Sequence, residues 1–218
     1  MNSDFAIILN FKLKNAKKVD TDFLVKTARN VGARAISSDN QAVDFQPACD
    51  KYTIALVKNQ NGSDLTANDV IDTVVKSRFN ARPTIINLTT TEDGDLTSAD
   101  KQMLAVLNDW MHVFGHALNE GQPSSISASN DSCVLPNRHA AYQKYAFVSE
   151  PLPEQIIVSG IDQEPNRVEW IEQRIDLNFT YQDKQLTINL TKPATSFPWQ
   201  VLRIQEHRPE DDILETKF

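Results

Sequence analysis

Two histidines, His112 and His116, stand four residues apart in a stretch with helical periodicity, so their imidazoles can share one helix face and, in principle, one metal ion. The residue after His112 is Val113, where a zinc-protease helix carries its general-base glutamate, and no third ligand stands nearby. The pair therefore reads as helix surface, and no metal or cofactor is expected. His139 and His207 lie elsewhere, without neighbours that suggest a proton relay. Cys49 and Cys133 form no Cys-x-x-Cys pair and read as ordinary thiols. No Gly-x-Ser-x-Gly motif is present, and neither cysteine adjoins a histidine, so nucleophilic catalysis by serine or cysteine has no positive support. The six glycines, at 32, 62, 94, 115, 121 and 160, never form Gly-x-Gly, which excludes the dinucleotide fingerprint and the Walker A loop. Carboxylates are plentiful, and a facing pair about 5 to 5.5 Å apart is what retaining glycoside hydrolysis requires. Most are expected in solvated or structural roles, Asp69 and Asp100 as helix caps. The most informative loop is Thr89-Thr90-Thr91-Glu92-Asp93-Gly94-Asp95-Leu96-Thr97, an Asp-Gly turn between a strand end and a helix start, where parallel-sheet proteins favour ligands.

The elements that must position these residues follow from periodicity. Phe5-Ala6-Ile7-Ile8-Leu9, within residues 4–13, suits a strand buried on both faces. Asp20 or Thr21 caps a helix burying Phe23, Leu24, Ala28 and Val31, and Gly32 supplies its left-handed stop. Ala33–Ile36 and Tyr52–Val57 are the next strands, the second ended by a polar turn over 58–63. Thr66 and Asp69 sign a helix with Val70, Ile71, Val74 and Val75 on one face, closed by Pro83. Thr84–Leu88 is a fourth strand. Thr97 and Asp100 then cap a long helix burying Leu104, Leu107, Trp110, Met111 and Phe114. This order predicts a mainly parallel sheet faced by helices.

Residues 121–140 are rich in Ser and Asn, lack a period and read as a linker. Beyond them the apolar repeat becomes twofold: Ile175, Leu177, Phe179 and Tyr181 alternate, as do Leu186, Ile188 and Leu190 after a Gln182-Asp183-Lys184 turn. That is a hairpin signal. With 155–161, 168–171 and 199–204 as further strands, the carboxyl-terminal part reads as a small antiparallel sandwich, and Glu210-Asp211-Asp212 as a frayed tail.

The composition sets outer limits. With 40% hydrophobic and 23% charged residues in 218, the chain is long and mixed enough to bury a sizeable core. Residues 1–120 carry 13 basic against 15 acidic side chains and the remainder 9 against 14, so neither part is basic. Without a positive patch a nucleic-acid partner is not expected. No apolar run approaches the roughly 18 to 20 residues of a membrane span, and the amino terminus carries an Asp where a secretion signal needs positive charge. A cytoplasmic location without membrane partner is the expectation.

The segment Ile85-Ile86-Asn87-Leu88-Thr89-Thr90-Thr91-Glu92-Asp93-Gly94-Asp95-Leu96, continuing through Trp110-Met111-His112-Val113-Phe114-Gly115-His116-Ala117-Leu118, resembles the last strand, loop and helix of the barrel in family 29 α-L-fucosidases. There the pattern is a Leu-Asn-Val strand, a Pro-Thr-x-Asp-Gly-Thr loop and a helix ending Trp-Leu-Lys-Val-Asn-Gly-Glu-Ala-Ile. Phe23–Ile36 is similar to the helix and strand that precede the family's His-His-Asp-Gly-Phe motif, and 155–205 to its β-sandwich. The departures are specific. Ser37-Ser38-Asp39-Asn40-Gln41-Ala42-Val43 replaces the histidine motif, and no segment matches the strand end that carries the family's nucleophilic Asp. A (β/α)8 barrel needs about 200 residues or more, and only about 120 precede residue 121.

The resemblance thus implies an α/β domain over 1–122, an incomplete barrel-like and mainly parallel sheet with helices, followed by an antiparallel β-sandwich over 140–209. The function it implies is carbohydrate binding or protein interaction without hydrolysis. The alternatives are an active α-L-fucosidase with a non-standard or subunit-shared site, and a purely structural module. If a fucose-containing carbohydrate binds, Ser38, Asp39, Asn40, Thr90 and Asp93 at the strand ends are the candidate ligands, and no catalytic residue is assigned. A shortened sheet has two open edges and a bare face, to be covered by rebuilding into an open layered domain or by a second copy, and rebuilding plus a homodimer is expected ahead of a stable monomer.

Overall fold

The computed structural model describes residues 5–13 and 16–207, so the acidic segment at 210–212 lies outside the described residues. The chain divides into two compact units, Met1–Asn119 and Glu120–Phe218. The first holds β1 (Ile7–Lys12), α1 (Thr21–Asn30), β2 (Ala35–Ser38), α2 (Gln46–Tyr52), β3 (Ala55–Leu56), α3 (Val70–Phe79), β4 (Thr84–Thr89) and α4 (Ser98–Glu120). Its sheet runs β3-β2-β1-β4, every pair parallel. Among the described residues these four strands close no barrel.

The local signals act as the sequence predicts at most boundaries. Asp20 Oδ1 accepts the Phe23 amide at 3.0 Å and starts α1. Gly32, at φ +79°, ends it: the Gly32 amide donates to the Arg29 carbonyl at 3.1 Å and the Ala33 amide to that of Ala28 at 3.0 Å, the two bonds of a Schellman stop. Phe23 differs from expectation, being 39% exposed while Leu24, Val25 and Ala28 face the core. Thr97 and Asp100 cap α4, the Asp100 amide donating to Thr97 Oγ1 at 3.2 Å and Thr97 Oγ1 to the Asp100 carboxylate at 2.6 Å. Leu104, Leu107, Trp110, Met111 and Phe114 are all buried.

Helix α2 is a correction. The run ending in Tyr52-Thr53-Ile54-Ala55-Leu56-Val57 looked like one strand because it is rich in β-formers. Instead Asp44 Oδ1 accepts the Gln46 amide at 3.0 Å, Pro47 occupies the first turn, and Thr53 turns left-handed at φ 55°. Only Ala55 and Leu56 remain for β3. The helix places Phe45 against Phe11, their rings stacked with centroids 6.0 Å apart.

Register sorts the sheet into two faces. Leu9 pairs with Ile36 and Ile86, and Phe11 with Leu88, so one face is mainly apolar and buried, with Thr84 and Ser38 as its polar members and Leu56 exposed at the β3 edge. On the other, Asn10 pairs with Ser37 of β2 and with Asn87 of β4, placing three polar side chains in one row across three strands.

The second unit is a sandwich of two antiparallel sheets. β10 (Phe179–Gln182), β11 (Gln185–Asn189), β8 (Gln155–Ser159) and β5 (Ser127–Ala128) form one; β6 (Cys133–Pro136), β7 (Gln143–Ser149), β12 (Trp199–Gln205) and β9 (Arg167–Trp170) form the other. Ile156, Val158, Leu186 and Ile188 from the first meet Val134, Ala146, Val148, Trp170, Leu202 and Ile204 from the second in one buried cluster. The hairpin joining β10 and β11 turns on Asp183 and Lys184, both at positive φ, as a two-residue type I′ connection requires. Two features differ from the sequence reading. Residues 121–140 are not structureless but contain β5 and β6, and β7 is an unanticipated strand. Burial on both faces removes the alternation that would have revealed β7.

Candidate functional site

The carboxyl ends of β2 and β3 border an open groove of about 680 Å³, lined by Ser38, Asn40, Gln41, Val43 and Phe45 on one side and by residues 56–59 on the other. Its loop is built by side chains acting as backbone caps. Ser38, the last residue of β2, accepts the Asn40 amide at 3.1 Å through Oγ, and Asn40 Oδ1 accepts the Ala42 amide at 3.0 Å. Gln41, Lys58 and Asn59 add exposed polar side chains to the groove, and Leu56 adds an apolar one that is 42% exposed.

Of the five candidate ligands, Ser38 and Asn40 thus line one groove. Asp39 stands between them but works on the sheet: its amide donates to the Phe11 carbonyl at 3.1 Å and its Oδ1 accepts the Leu13 amide at 2.8 Å. Thr90 is 1% exposed and donates to the Lys12 carbonyl twice, from its amide at 3.1 Å and its hydroxyl at 3.0 Å. Asp93 is exposed in the turn where the Gly94 amide donates to the Thr91 carbonyl at 3.0 Å. Gly94 is required there, since at φ +83° an added Cβ would lie 2.2 Å from the Lys18 carbonyl. β1 separates β2 from β4 in the sheet, so Thr90 and Asp93 belong to a different strand end from the groove.

The other acids of the β4 loop are also engaged. Glu92 pairs with Lys17, and Asp95 with Lys101. The hydrogen bond from Lys101, then that from the Leu96 amide, holds the Asp95 carboxyl below its usual range. That keeps it ionised, the opposite of what a general acid needs. Asp100 Oδ2 accepts the Thr89 amide at 2.9 Å in addition to the Thr97 hydroxyl. His112 and His116 are exposed on α4, and among the described residues no three His, Cys, Asp or Glu side chains gather as a metal would need. Both thiols are buried, and desolvation pushes Cys49 up to about 11 and Cys133 up to about 12, so neither is a ready nucleophile.

The polar row carries little signal in the sequence beyond an Asn after Ile7-Ile8-Leu9 and another after Ile85-Ile86. Ser37 Oγ donates to Asn10 Oδ1 at 2.9 Å, and Asn10 Nδ2 donates to Asn87 Oδ1 at 2.9 Å. Asn10 Nδ2 also reaches the Gln60 carbonyl at 3.0 Å, while Asn87 Nδ2 reaches the Gly62 carbonyl at 2.9 Å and Asp64 Oδ1 at 2.8 Å. These partners belong to residues 58–64, a strap that leaves β3 at one edge of the sheet, crosses the row, and joins β4 at the other. There the Ser63 amide donates to the Ile85 carbonyl at 2.9 Å and the Asn87 amide to the Ser63 carbonyl at 3.0 Å. The strap therefore satisfies the polar row, in which Asn10 and Ser37 are buried and Asn87 half-buried, and occupies the outer edge of β4.

No protein-family model and no curated protein matches the chain. Solved structures do. The chain is similar to a Thermotoga maritima α-fucosidase in complex with a mechanism-based inhibitor, with a TM-score of 0.66 at 11% identity over 88% of this chain and 80% of that one. It is similar to the same enzyme in complex with fucose, with a TM-score of 0.56 at 14% identity, and to a Bacteroides thetaiotaomicron α-L-fucosidase trapped as a covalent intermediate, with 0.55 at 14%. Against these two it covers 84% and 90% of itself but only 56% and 42% of their length. What the likeness establishes is the fold: a parallel sheet with helices followed by a β-sandwich, the arrangement of the α-fucosidases, in a chain that spans about half of the latter two.

Proposed function

We propose that this chain is a non-hydrolytic, fucosidase-like module that binds a carbohydrate in the groove at the carboxyl ends of β2 and β3, a fucose-containing glycan being the first candidate. The observation that carries this reading is the division of labour among the strand-end polar groups. Asp39, Glu92, Asp95 and Asp100 are held in ladder, cap or ion-pair bonds, and the row of Ser37, Asn10 and Asn87 is satisfied by the strap. A double displacement needs one carboxylate to attack and a second to shuttle a proton, roles for which these bonded acids are poorly placed. The groove, in contrast, offers amide, hydroxyl and ammonium groups from Asn40, Gln41, Ser38 and Lys58 beside Val43, Phe45 and Leu56. That mixture suits a sugar, which presents hydroxyls at its rim and an apolar ring face or methyl group.

The experiment is a titration of the full chain with methyl α-L-fucoside and fucosylated oligosaccharides at millimolar concentration, followed by thermal shift and by chemical shifts of the Gln41 and Asn59 amides. Binding should raise the melting temperature and move those amides, and Gln41→Ala with Lys58→Ala should weaken it without unfolding the protein, since both side chains are exposed. Unmoved amides across all sugars would remove the carbohydrate reading. Steady hydrolysis of an aryl α-L-fucoside by the purified chain, lost in Asp39→Asn or Asp93→Asn, would replace it with the glycosidase reading.

A further inference from the structure

We propose that the Asn61–Gly62 link is a spontaneous deamidation site built into the strap, and that conversion to an isoaspartyl link detaches the strap from the sheet. Four observations converge on this peptide bond. Asn61–Gly62 is the sole Asn-Gly pair in the sequence. Glycine is obligatory at 62, because an added Cβ would lie 2.6 Å from Asn87 Oδ1 and 2.8 Å from the Ile85 carbonyl oxygen; the packing that seats the strap admits no bulkier, slower-reacting neighbour for Asn61. Asn61 is exposed, and residues 58–62 adopt neither helix nor strand. Among the described residues, neither the Asn61 carboxamide nor the Gly62 amide makes a hydrogen bond, so neither reacting group is tied up by a partner.

The chemistry needs only water. The Gly62 backbone nitrogen, losing its proton to solvent, attacks Cγ of Asn61. The new N–Cγ bond closes a five-membered succinimide, and the Cγ–Nδ2 bond breaks to release ammonia. Water then opens the ring at either carbonyl, giving aspartate, or isoaspartate when the main chain is left running through Cγ. An isoaspartyl link inserts an additional carbon into the backbone between two anchors, the Gln60 carbonyl that receives Asn10 and the Gly62 carbonyl that receives Asn87. Both cannot keep their partners across a lengthened link, and the new carboxylate lies three residues from Asp64 in a strap whose only nearby cation is Lys58. Asn10, fully buried, and Asn87, half-buried, would lose partners that satisfy their amides.

The test uses the full chain, incubated at neutral to mildly alkaline pH and followed by intact mass, peptide mapping with isoaspartate detection, and hydrogen–deuterium exchange. Expected are a gain of one mass unit localised to Asn61 ahead of every other asparagine, loss of that gain in Asn61→Gln, and faster exchange of the Ser63 and Asn87 amides in the isoaspartyl fraction. The urea-unfolded chain serves as reference. Retention of the Asn61 amide in the folded protein while the unfolded chain loses it would overturn the site. Formation of isoaspartate with the Ser63 and Asn87 amides still protected would overturn the detachment.

Discussion

Asp22, on the first turn of α1, accepts from Lys51 Nζ at 2.6 Å and from the Tyr52 hydroxyl at 2.7 Å, tying α1 to the end of α2. The Lys51 hydrogen bond, then that of Tyr52, lowers the Asp22 carboxyl, and Asp22 in turn raises Lys51. A carboxylate lowered in the folded state stabilises it above the ordinary value of about 3.9, and that contribution disappears as pH falls through the folded value. The raised lysine contributes below its ordinary value of about 10.4 and stops doing so as pH rises through its folded one. Between these limits Asp22→Asn should lower the urea midpoint by a small, constant amount, because both side chains are about half exposed and screened by solvent. On acidification the two midpoints should converge. A gap that persists below the carboxylate range would assign the effect to the lost Tyr52 contact rather than to charge. None of this linkage was readable in the chain itself, since Asp22 and Lys51 are brought together by α2, a helix that the β-rich run from Tyr52 concealed.

At the scale of elements, the legible parts were those whose apolar period and end signals agree. The Asp20 cap, the Gly32 stop, the Thr97–Asp100 cap and the Asp183–Lys184 hairpin each placed a boundary within a residue or two. What stayed hidden were elements defined by their partners. β5 and β6 are only two and four residues long and exist because β8 and β7 supply their hydrogen bonds, and β7 carries Lys144 into a buried pair with Glu206 Oε1 at 2.6 Å. The strap is the strongest case, for its sequence is that of a polar turn and its role depends on Asn10 and Asn87 waiting across the sheet. Gly62 measures how tightly it is seated. Gly62→Ala should destabilise the protein by about 1–3 kcal/mol, the usual range for forcing extra volume into a packed contact. Its neighbour Asn61→Gln should stay within about 0.5 kcal/mol as an exposed substitution. Equal denaturation midpoints for the two variants would show that the strap is loosely held.

For the whole molecule, the sequence posed a question of covering: four parallel strands that close no barrel among the described residues leave two edges and one face to be covered. The candidate site inherited that ambiguity. Ser38 and Asn40 fall beside a groove because the chain turns there, whereas Thr90 and Asp93 were grouped with them only by lying at strand ends, and β1 stands between. The chain itself supplies the covering, since the strap meets the polar row and fills the edge of β4 at Ser63. The remaining edge belongs to β3, two residues long, and a strand that short offers a second copy few backbone groups to pair with. Covering the sheet therefore does not require a dimer, and the expected outcome of light scattering on the full chain at micromolar concentration is a monomer. A dimer that persisted on dilution would place self-association elsewhere than strand pairing. Loss of such a dimer in Leu56→Lys, at the most exposed large apolar side chain of that edge, would place the interface on apolar side-chain contact beside β3.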